Sequence, residues 1–130
     1  MRQLILSTSF LLVLLVGCGG GTARVKGQIL ENGQPKAFPG MQASVAFTPV
    51  GADGKLETSK SYSAMLNSDG KFEVIASGGE LPPGNYAVSI QAVGKANEQF
   101  KGFGATDSPI RREVKPGQND FQIDLAKPNS

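Results

Sequence analysis

From Thr22 onward apolar and polar residues alternate, and turn-forming residues interrupt the alternation at short intervals. Period two with frequent breaks is the pattern of many short strands, each half buried. Val25, Gly27 and Ile29 share one face of a first strand, with Arg24, Lys26 and Gln28 on the other, and the turn pair Asn32-Gly33 follows. Met41, Ala43, Val45 and Phe47 align on a second strand, after which Pro49, Gly51 and Asp53-Gly54 mark a loop. A third strand near residues 60–66 aligns Tyr62, Ala64 and Leu66. Asn67 to Lys71 then predicts a hairpin into a fourth strand that turns Phe72, Val74 and Ala76 inward.

After the Gly- and Pro-rich "SGGELPPG", Tyr86, Val88 and Ile90 line the inward side of a fifth strand expected at the centre of a sheet. The period is lost through "GKANEQFKGFGATDSP", returns in the short, charged "IRREV", and turns at "KPGQN". It ends in "FQIDL" with Phe121, Ile123 and Leu125 inward. Arg112 falls on the inward side between Ile110 and Val114, which predicts an edge strand, where a charge also discourages pairing between molecules. No amphipathic helix stands out. Seven short strands at this spacing predict an all-β fold, a seven-stranded antiparallel β-sandwich.

The N-terminal residues read differently. Arg2, the apolar run from Leu4 to Val16 and the small residues after it form the three parts of an export signal. The run is 13 residues long and includes Ser7, Thr8 and Ser9, whereas a transmembrane helix needs about 20 apolar residues. Export followed by cleavage is the expectation. Leu15, Val16, Gly17 and Cys18 resemble the lipobox of bacterial lipoproteins, which implies cleavage before Cys18, a covalent diacylglycerol on its sulfur and an N-acyl group on its amine. Two or more acyl chains anchor a protein stably where one does not. Gly19, Gly20 and Gly21 suit a flexible tether, and by the sorting habit of the lipoproteins this segment resembles, Gly19 in place of Asp implies transfer to an outer membrane where the cell has one.

Removing residues 1–17 leaves 113 residues, enough for one domain with its own core. Cys18 is the sole cysteine, so packing rather than disulfides must hold the fold. Without Arg2 the charge is +1, from twelve basic and eleven acidic side chains. That balance indicates neither nucleic acid nor an acidic surface as partner.

Three stretches, "VKGQILENGQPKAFPGMQASVAFTP", "NSDGKFEV" and "LPPGNYAVSI", together resemble the carboxypeptidase regulatory-like domain, a transthyretin-like module of exported bacterial proteins. The resemblance spans roughly residues 22–126 and extends to short lipoproteins in which this domain stands alone behind a lipobox, with an ending similar to "VKPGQNDFQIDL". It implies an Ig-like, prealbumin-like sandwich serving as a structural or binding module, and no activity. The fold has a hydrolase branch whose active site relies on histidines, and this chain has none.

The absence of histidine also removes Ser-His-Asp and Cys-His nucleophiles and His-Cys zinc sites. Asn67 to Lys71 is similar to the first half of a calcium loop, yet the twelfth position is Gly78 where a bidentate glutamate belongs, so no metal is expected. Lys26 and Asp124 are the tempting pair for an isopeptide crosslink, but alternation puts both on the outward side. With no tryptophan, and Tyr62 and Tyr86 inward, an aromatic platform for sugars is missing. The candidate binding residues are Phe100, Lys101 and Phe103, in the longest aperiodic segment; such loops often carry function, and an apolar pair there could dock into a partner. The blander alternative is that these rings cover the open end of the sandwich.

The expected organisation is a cleaved signal peptide over residues 1–17, a lipidated cysteine and tether over 18–22, the sandwich over 23–126 and a tail over 127–130. The expected function is that of a non-enzymatic, lipid-anchored cell-envelope protein without further cofactor, touching the membrane through its lipid and an envelope protein through its loop. A structural coat component without a specific ligand is the alternative.

Overall fold

Val25, Gly27 and Ile29 are all buried, and the strand that carries them is the axis of the first of two sheets. The structure, a computed structural model, describes residues 23–74 and 81–129. Expectations for the signal, Cys18, the glycine tether, Ala76 and Gly78 lie outside the described residues.

Within them the strands are β1 (Ala23–Glu31), β2 (Gln34–Pro35), β3 (Ala43–Pro49), β4 (Tyr62–Met65), β5 (Lys71–Val74), β6 (Gly84–Ala92), β7 (Arg111–Val114) and β8 (Gly117–Asp124). In the first sheet β1 lies between β8 on one side and β5 with β2 on the other. The second sheet has the order β4-β3-β6-β7, so β6 is internal and β7 is an edge, as the alternation predicts. The result is an all-β arrangement of two four-stranded sheets, consistent with an Ig-like or prealbumin-type fold.

The inner faces meet in one core in which Phe47 of β3 is the hub. Its ring lies 6.0 Å from Phe72, 6.1 Å from Phe121 and 6.1 Å from Tyr86, so it joins both sheets. Aromatic contacts at these separations add to the stabilisation that burial provides.

Three expectations are corrected. The described residues hold eight strands instead of seven, because Asn32 and Gly33 adopt φ of 53° and 78° and fold the chain back on β1. That return lasts only Gln34 and Pro35 as a strand: Lys36 N–H still donates to Ile29 O at 3.0 Å, but Ile29 N–H turns to Gly70 O at 2.8 Å, so the pairing with β2 ends there and β5 takes over. The sandwich is not wholly antiparallel: β8 runs parallel to β1 over eight residue pairs. Alternation reports which side of a strand is buried and is blind to its direction.

The third correction concerns Asn67 to Lys71, which joins the two sheets rather than closing a hairpin ladder. β4 pairs with β3 and β5 pairs with β1. Locally the segment does turn as a hairpin would, with Asn67 N–H donating to Lys71 O at 2.9 Å and Gly70 N–H to Asn67 O at 3.0 Å. Gly70 has φ 77°, and a Cβ there would stand 2.5 Å from the carbonyl oxygen of Lys36. Glycine is therefore demanded twice, by conformation and by space.

Candidate functional site

The aperiodic segment folds into a 3₁₀ helix, Gly94–Phe100, followed by a tight turn. Asn97 Oδ1 accepts from Ala92 N–H at 3.2 Å, and Phe103 N–H donates to Phe100 O at 2.9 Å. Ile90 N–H donates to Phe103 O at 2.8 Å, which ties the turn to β6. The segment is thus anchored along its length.

Phe100 is 2% exposed and stacks on Phe38 at 5.6 Å with 20° between the rings. Its ring closes the end of the sandwich and is not available to enter a partner. Phe103 is half-buried against the core, and Lys101 is exposed. Of the three candidate binding residues, Lys101 and the open part of Phe103 are accessible. Sequence periodicity could not place Phe100, because a side chain reaching the core from a loop leaves no periodic trace.

Two shallow clefts flank this loop. One is lined by Gln91, Asn97, Glu98, Lys101 and Asp107, the other by Glu31, Asn32, Lys36, Gln99, Phe103 and Leu125. Both mix amide, carboxylate and ammonium groups with apolar surface, from Ala92 and Phe100 in the first and Phe103, Leu125 and Ala126 in the second. Lys36 pairs with Glu31 across the β1–β2 turn, an exposed ion pair that contributes little to stability.

Asp124 precedes Leu125 and Ala126, which line the second cleft, and its carboxylate holds the turn at Asn32 and Gly33. Its Oδ1 accepts from Ala126 N–H at 2.9 Å and Asn32 N–H at 3.0 Å, and its Oδ2 from Gly33 N–H at 2.7 Å. The Ala126 bond first, with those of Gly33 and Asn32, holds its carboxyl below the usual aspartate range. Asp124 sits beside Leu30 in the register while Lys26 sits beside Asp120, so the two residues weighed for a crosslink do not meet.

The other candidates resolve in the same way. Asn67 Oδ1 accepts from Asp69 N–H at 3.0 Å and Lys71 N–H at 2.9 Å, which commits the first oxygen of the calcium-like loop to backbone. Among the described residues no cluster of His, Cys, Asp or Glu could hold a metal ion, and no helix is long and apolar enough to cross a membrane. Tyr86 is buried, its hydroxyl donating to the Pro82 carbonyl four residues upstream in the manner of a tyrosine corner. Burial, then the neighbouring Tyr62, pushes its hydroxyl up to about 12. Half-buried Tyr62 stands edge-on to it at 6.3 Å, so neither ring offers a platform.

Two polar side chains that sequence reasoning missed fix the opposite end and the tail. Asn119 Nδ2 donates to Lys115 O at 2.8 Å and Arg24 O at 3.1 Å, pinning the turn between β7 and β8 against β1. Asn129 Oδ1 accepts from Arg111 N–H at 2.9 Å and its Nδ2 donates to Pro109 O at 2.8 Å, which covers the outer edge of β7.

No family model matches the chain, and no curated protein does. Among solved structures, a crystal structure of a DUF3823 family protein from Parabacteroides merdae aligns at 15% identity with a TM-score of 0.44. The alignment covers 79% of this chain and 45% of that one, so the chain spans less than half the length of that protein.

Proposed function

We propose that this protein is a lipid-anchored, non-enzymatic interaction domain of the bacterial cell envelope, a carboxypeptidase regulatory-like sandwich held to a membrane through Cys18. Its location is the outer membrane where the cell has one. It uses no cofactor beyond the covalent diacylglycerol and N-acyl group, and it binds neither nucleic acid nor metal.

The observation that supports this reading best is the separation of the two ends. The clefts lined by Lys101 and by Lys36 gather where β1 finishes, at Glu31. The tether leads into β1 at Ala23, eight residue steps away, or about 26 Å at strand rise. A domain held at one end presents the other to its surroundings, and the anchored loop keeps its polar groups in place there.

The test is expression of the full chain and its Cys18→Ser variant in a bacterium that processes lipoproteins, with labelled palmitate and membrane fractionation. Label and membrane attachment should both vanish with the substitution; attachment that survives it overturns the anchor. Co-purification from those membranes, beside Lys101→Glu, tests the binding role. A stoichiometric envelope protein lost from the variant supports it, whereas identical recoveries overturn it and favour a structural envelope component.

A further inference from the structure

β8 has one paired side and one bare one. Ile29 N–H donates to Gly70 O at 2.8 Å and Ile29 O accepts from Lys36 N–H at 3.0 Å, so the odd residues of β1 face β5 and β2. Its even residues therefore face β8, and Leu125 N–H reaches Leu30 O at 2.9 Å from an odd position. In a parallel ladder a residue turns both backbone groups to the same side. The N–H and C=O of Gln118, Asp120 and Gln122, with the N–H of Asp124, consequently point out of the sheet edge. Asp124 O is taken by Lys127 N–H at 3.1 Å, and no other described strand pairs with this edge.

The remaining edges carry protection that β8 lacks. β4, β5 and β7 are four residues each, and β7 carries two arginines and is capped by Asn129. Short length, charged side chains (lysine above all) and a covering group are the ordinary ways to blunt an edge, and of these β8 has only the carboxylates of Asp120 and Asp124. β8 has eight residues, Gly117–Asp124, with no lysine, arginine, proline or bulge. Such an edge is built to accept another strand.

The side chains specify which strand. Placing a second β8 antiparallel about a two-fold axis at Phe121 sets Asp120 opposite Gln122 and Gln118 opposite Asp124 of the other copy. The carboxylate of Asp120 then faces an amide, and Asp124, already held by the backbone at Asn32, Gly33 and Ala126, faces an uncharged side chain. A shift by one pleat sets Asp120 against itself in one direction and against Asp124 in the other, and facing like charges destabilise a pair. An amide-to-carboxylate bond of this kind already exists along the strand, Gln122 Nε2 to Asp120 Oδ1 at 3.2 Å. The two Phe121 rings would adjoin at the axis on the core side, where each already stacks on its own Phe47.

We infer that the protein pairs with a second copy of itself through antiparallel β8 edges in register about Phe121, joining the two first sheets into one. Position 122 tests this without disturbing the fold, because its backbone faces away from β1 and its side chain is exposed. The full chain in density-matched detergent should show a concentration-dependent dimer by sedimentation equilibrium. Gln122→Lys, placed against Asp120, should tighten it and Gln122→Glu should loosen it, about tenfold apart. The circular dichroism spectra of both variants should match that of wild type, which separates the association from the fold. A monomer at every concentration, or a dimer indifferent to the sign at position 122, overturns the inference; capture of an extended peptide by a monomeric chain would assign the edge to a different partner.

Discussion

Gly27 shows how much one missing side chain can carry. It lies between Phe72 of β5 and Phe121 of β8, and a Cβ there would stand 2.3 Å from Phe121 O and 2.7 Å from the tip of the Phe72 ring. The carbonyl belongs to a ladder and cannot swing aside as a flexible side chain would. Gly27→Ala should therefore cost about 3 kcal/mol, the upper end for overpacking a core. In a domain of this size that lowers the melting temperature by about 12–24 °C. Thermal and urea unfolding check it, and an unchanged midpoint would mean that β8 yields. That Gly27 faces inward was legible from alternation with Val25 and Ile29. That nothing larger fits was not, because the obstructing groups come from strands 45 and 94 residues away in the chain.

Turns and strands mark the limit of local reading. Asn32-Gly33 and the segment Asn67 to Lys71 announced their turns correctly, since the positive φ of Asn32, Gly33 and Gly70 is a local requirement. Which sheets a turn connects is decided by distant pairing with β1 or β3, so the segment at Asn67 looked like a hairpin and is a crossover. The Asn32-Gly33 turn also depends on a distant group, the carboxylate of Asp124. Its folded form prefers the deprotonated state, so the stability it contributes is present above the unfolded aspartate value, about 3.9, and is lost as pH falls through the lower folded value. Asp124→Asn should be less stable than wild type at neutral pH, since its amide N–H₂ would face Gly33 N–H. The two should converge as pH falls from about 5 through the unfolded aspartate value and below it. Urea midpoints across that range decide it, and parallel curves would contradict the assignment.

At the scale of the whole molecule the two-sheet sandwich was legible in the sequence, as were the central place of β6 and the edge position of β7. Hidden from it was the closure, in which the first described strand and the last lie side by side and run the same way. Since β1 and β8 share eight registered pairs in parallel, a pull on the chain at Ala23 against a load beyond Asp124 acts along the ladder. All of its hydrogen bonds then bear the force together and cannot open one at a time. Handles at Arg24 and Ala126 should require several-fold more force in single-molecule pulling than handles at Arg24 and Gln118, neighbouring residues at the same end of the ladder, which would peel the strands apart. Equal forces would show that another part of the fold gives way first. A chain tethered at its N-terminal side and tugged at its far end thus meets a mechanical clamp made from its first and last strands.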